Sequence, residues 1–160
     1  MTTKADFNAE EWEQVVDGPP IAALIVVTSE HGGTVRESLE VGKAYQDARQ
    51  AHIGPELIDQ LLASPPEFDP RKYSDAGDLR ATGLEQLKAA VAILEGKVTD
   101  DELDSYRGFI MGIAERVAHR HKTGGFLGFG GREVSANEQL ALDEVREAIG
   151  AHEIPDAEEE

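Results

Sequence analysis

Four side chains in this chain could together hold a divalent cation: Glu30, His31, Glu37 and Glu138. Carboxylates with one imidazole suit a hard or borderline ion. They converge only if two segments that repeat one plan face each other. In the first, an apolar helix ends at Ser29-Glu30-His31, turns through Gly32-Gly33 and restarts at Thr34 with Glu37 three residues on. In the second, a helix ending at His121 turns through glycines and restarts at Ser135 with Glu138 three residues on. That last spacing is also the capping box, where hydroxyl and carboxylate each satisfy a free backbone N–H of the other. Capping and metal binding thus compete for Glu37 and Glu138, and capping is the stronger demand.

A second cluster sits at the end of one helical segment. Glu115 and His119 are four residues apart, on one face, and could share a cation. His119 and His121 stand about 200° apart round a helix and cannot chelate one ion. No His-Glu-x-x-His occurs, and spacing assembles no Ser-His-Asp set. With Arg116, Arg120 and Lys122, these histidines read as basic residues matched to a helix C-terminal dipole. No catalytic residue and no required cofactor are expected; a divalent cation is the one candidate ligand.

Third is the glycine loop Gly124-Gly125-Phe126-Leu127-Gly128-Phe129-Gly130-Gly131-Arg132. Backbone N–H groups ahead of a helix can cradle an anion. This loop lacks the Gly-x-x-x-x-Gly-Lys-Ser/Thr pattern, follows no strand and has Arg132 as its only cation. Phe126, Leu127 and Phe129 are more informative. Either they plug a gap in the body of the protein or they stay exposed, with Arg132, as a knob for a protein partner.

The elements that position these groups are helical by periodicity. Asn8 caps a helix over about 9–17 that Gly18-Pro19-Pro20 should stop, and Pro20 opens a second one through Thr28. This second helix is apolar on every side, so it is the expected buried centre. The run Ile25-Val26-Val27-Thr28 also suits a strand, but no other segment could pair with it. Further helices follow over about 34–50, from Gly54-Pro55 through Leu62, and over about 79–95, 99–122 and 135–149. Thr99 with Glu102 and Ser135 with Glu138 mark two of the starts, and Gly150 closes the last. Between residues 65 and 78 lies a loop, with a turn after Asp69-Pro70. Trp12 should staple the first helix to the core, and Tyr73, in that loop, receives no role. The expected fold is all-α: a single-domain bundle of about seven helices with two pseudo-repeated helical hairpins.

Composition bounds the partners. The chain has 160 residues, with 15 Lys+Arg against 32 Asp+Glu and a formal net charge of −17. Such a surface repels nucleic-acid phosphate and anionic lipid. The longest apolar run, Ile21 to Val27, is far shorter than the roughly 20 residues that span a bilayer. With no cysteine, disulfides and thiolate metal sites are excluded. Residues 1–7 lack the layout of a secretory signal, which makes the cytoplasm the expected location. Disorder is expected over 1–7 and in the acidic tail 151–160, with one helical domain over 8–150 between them.

The doubled hairpin resembles the TerB-like family, helical domains associated with tellurite resistance. The matching residues are Glu30-His31-Gly32-Gly33-Thr34-Val35-Arg36-Glu37 and Gly131-Arg132-Glu133-Val134-Ser135-Ala136-Asn137-Glu138. The glycine loop is similar to one in an uncharacterised branch of that family. Where the family carries Asp, this chain has Glu30 or His31 in the first copy and Gly131 in the second, so part of the implied ligand set is missing. The resemblance implies a non-enzymatic interaction or sensing module in bacterial stress response. An unidentified protein and a second copy of the chain are its candidate partners.

Overall fold

Residues Ile21 to Val27 cannot present a polar face to water at any helical angle, so other helices must cover them. In the computed structural model of the chain every one of them is buried. The structure describes residues 2–29, 35–51, 55–64, 69–123 and 135–151. These form α1 (Ala9–Thr28), α2 (Val35–Ala51), α3 (Glu56–Ala63), α4 (Ala76–Glu95), α5 (Asp100–Thr123) and α6 (Ala136–Ile149). Two 3-10 turns, Lys4–Asp6 and Pro70–Lys72, complete the described residues, which contain no strand. The second turn sits where Asp69-Pro70 puts it: the Asp69 carboxylate accepts the Arg71 N–H.

α1 is the axis of the bundle. It packs most extensively against α5 and α4, and also against α6 and α2. At the crossing with α4, a Cβ on Gly83 would stand 2.9 Å from both Ile21 Cγ2 and Ile25 Cδ1. Glycine lets the two backbones approach there.

One expectation is corrected at Gly18-Pro19-Pro20. These residues do not end a helix: α1 runs unbroken through them, so two expected helices are one and the described residues hold six α-helices, not seven. A proline in a helix removes the N–H that would bond the carbonyl four residues earlier. Pro19 thereby frees the Val15 carbonyl, and the Tyr106 hydroxyl of α5 donates to it at 2.8 Å. Gly18 admits the phenol, since a Cβ there would stand 2.3 Å from Tyr106 Oη. A partner from another helix supplies what the local sequence lacks.

A second correction concerns the amino-terminal segment. Residues 2–7, expected to be disordered, dock onto the start of α5. The Thr2 N–H donates to Glu102 Oε1 at 2.8 Å, and the Thr2 hydroxyl to Glu102 Oε2 at 2.7 Å. Phe7 is buried with its ring centroid 5.5 Å from that of Trp12, and Lys97 Nζ lies 5.5 Å from the Phe7 centroid. Trp12 itself is buried as the expected staple. Segments 30–34 and 124–134, where the turns of the two pseudo-repeated hairpins are expected, and the tail 152–160 lie outside the described residues.

Candidate functional site: a polar cleft beside the proline break

Gln14, Asp17 and Ile21 recur at i, i+3 and i+7, so they share one face of α1. Opposite this face the chain leaves the Pro70–Lys72 turn, which delivers Lys72 and Tyr73, and α4 contributes Gln86. Together the six side chains line a half-open cleft of about 300 Å³. Asp75, whose carboxylate accepts the Asp78 N–H, caps α4 and fixes where that helix begins. The Tyr73 hydroxyl donates to Gln86 Oε1 and ties the turn to α4.

The chain has three tyrosines, and the charge of Asp17 acts on all of them. Burial is the main cause that raises Tyr106, with Asp17 adding to it. Tyr45 is raised well above its ordinary value by burial first, then by Tyr106 and Asp17. Tyr73 is raised by burial, opposed by its hydrogen bond to Gln86 and supported by Asp17 and Asp78. Tyr45 and Tyr106 are buried, and Tyr73 is on the cleft wall. The cleft therefore combines a carboxylate, an ammonium, two carboxamides, a phenol and an aliphatic floor. Such a lining suits recognition of a small polar ligand.

The residues singled out in the sequence fare differently. Glu138 is fully buried and sits in the expected capping box: its Oε2 accepts the Ser135 N–H at 3.0 Å while Ser135 Oγ accepts the Glu138 N–H at 3.1 Å. Glu30 and His31, the side chain of Glu37, and the docking candidates Phe126, Leu127, Phe129 and Arg132 lie outside the described residues. Among the described residues no group of three or more His, Asp or Glu side chains is placed to hold a metal ion. Glu115 lies 3.6 Å from Arg146, and His119 is exposed. Among the described residues no helix is long and apolar enough to cross a membrane.

The cleft itself was not legible as a site. Asp17 reads as the last residue before a helix stop, and Tyr73 as a loop residue. The one signal was the Gln14, Asp17, Ile21 spacing, which becomes visible only when the helix is carried through the prolines. Comparison of this chain with protein-family models, with curated proteins and with solved structures finds no match.

Proposed function

We propose that this protein acts by binding rather than by bond chemistry, as a helical interaction or sensing module with the Asp17–Tyr73 cleft as a working site. The observation that carries the reading is the gathering of a carboxylate, an ammonium, two carboxamides and a phenol around one cavity. Glu102 and Glu138 are engaged in helix caps, Tyr106 in bonding Val15 O and Arg107 in bonding Ile149 O. The cleft gathers unlike polar groups from three elements around one cavity. The TerB-like resemblance of the two hairpins supports the same class, a stress-response module without enzymatic activity, and its hairpin loop remains a second candidate surface for a protein partner.

Thermal-shift measurement across a library of small polar compounds, run beside a general hydrolase panel, tests this. The expected result is a rise in melting temperature with one ligand class and no turnover. Turnover that a single substitution abolishes would overturn the reading. Micromolar binding of calcium, magnesium, manganese or zinc that is lost in Glu37→Gln, with helicity retained, would replace it with the hairpin-carboxylate metal site.

A further inference from the structure

Resting on that binding reading, we infer that the cleft takes a free α-amino acid with an apolar side chain, its ammonium toward Asp17 and its carboxylate toward Lys72. The argument is one of complementarity. Asp17 on α1 supplies an acceptor, and a carboxylate has about four lone-pair positions, so it can serve the fold and a ligand together. Lys72, exposed on a different element, supplies a mobile ammonium. Gln86 accepts the Tyr73 hydroxyl through Oε1, which assigns its Nε2 as the donor it can offer. One acceptor and two donors on separate elements match a zwitterion.

Singly charged ligands fit less well. An anion meets Asp17 inside the cleft and a chain of net charge −17 around it. A cationic amine meets Lys72. A zwitterion is neutral overall, so long-range repulsion does not oppose it, and both of its charged ends find partners. Ile21 and the Tyr73 ring then offer apolar contact to the side chain. About 300 Å³ lies at the small end of ligand sites, which suits one amino acid rather than a peptide.

The test is calorimetric titration with L-leucine, 3-methylbutylamine and 4-methylpentanoate, followed by amide-shift mapping with each. The two analogues keep the side chain and delete one charge apiece. Leucine should bind one to one, shift the amides of Gln14, Asp17, Lys72, Tyr73 and Gln86, and bind at least about tenfold more tightly than either analogue. Lys72→Ala, an exposed substitution that should fold normally, should cost leucine at least about tenfold in affinity, and Asp17→Asn the same. Leucine binding no tighter than the two analogues, or unaffected by Lys72→Ala, overturns the inference. If a different ligand class moves the same amides and leucine does not, the amino-acid assignment fails while the binding reading stands. If no compound of any class moves them, both fail.

Discussion

Two acidic side chains enter this bundle at opposite ends of the same physical problem. At the start of α5, Glu102 is 7% exposed and its two oxygens accept from the N–H and hydroxyl groups of both Thr2 and Thr99. Burial opposes its ionisation, yet those four donors outweigh it and hold the carboxyl down to about 2. That site is closed: its charge is consumed in fastening residues 2–7 to the helix. On α1, Asp17 instead lines a cavity beside a break in the helical hydrogen bonding, with its field spread over three tyrosines. The same functional group is a rivet in one region and part of a cleft wall in the other. The difference lies in what folds against each: residues 2–7 close over Glu102, while the Pro70–Lys72 turn leaves a cavity beside Asp17.

The largest way to break the comparison is to disrupt the contact that carries α1 through its prolines. Gly18→Ala should drive a methyl group into Tyr106 Oη and also expel the donor from Val15 O, lowering stability by about 2–4 kcal/mol in chemical denaturation. A neutral or stabilised Gly18→Ala would show that the phenol does not need this space. Next comes Glu102→Gln, with a loss of about 1.5–3 kcal/mol near neutrality from hydrogen bonds to a charged acceptor. The pH dependence follows from the depressed carboxyl. An acid with a folded value near 2 and an ordinary value of 4.5 stabilises the protein fully above 4.5, and the contribution fades as pH falls through 2. Glu102→Gln should therefore flatten the acid limb of the stability curve, and an unchanged limb would contradict the closed-site reading.

Tyr106→Phe keeps the ring and removes the donor, so it should cost about 1–2 kcal/mol by leaving a buried carbonyl unmatched. Because burial raises the wild-type phenol, the folded state holds a proton that the unfolded state releases, and stability should fall as pH rises above 10. That alkaline loss should shrink in Tyr106→Phe, as seen in melting curves across pH 9 to 11. The smallest effect sharpens the open side of the comparison: Asp17→Asn should lower the titration point of Tyr73, followed by absorbance, because one negative neighbour is gone. A Tyr73 titration that does not move would mean the Asp17 charge is screened from the cleft.

Much of the architecture was readable because it is local. The N-cap at Asn8 and the capping boxes of Thr99 with Glu102 and Ser135 with Glu138 need only neighbouring residues, and all of these form; the box expected at Thr34 and Glu37 lies outside the described residues. Gly150 closes α6 in the left-handed conformation, φ +69°, which glycine adopts without a Cβ penalty. The helix chosen over a strand for Ile25–Thr28 is likewise what forms, and the Thr28 hydroxyl bonds back to Leu24 O at 2.7 Å. α4 begins at Ala76, three residues before the start expected from periodicity, because the Asp75 side chain caps it. The cleft was illegible because its walls are far apart in sequence and come together only when the Pro70–Lys72 turn folds against α1 and α4.

The sequence alone determined that the chain is helical, where most helices start and stop, and which stretch must be buried, since periodicity and capping act over three or four residues. Tertiary structure decided whether Pro19 breaks α1, because the missing backbone donor is replaced there by the Tyr106 hydroxyl of another helix. It also decided the separate fates of Glu102 and Asp17. A carboxylate has no fixed role of its own: the segments that fold against it set whether it anchors a terminus, as Glu102 does, or lines a cleft, as Asp17 does.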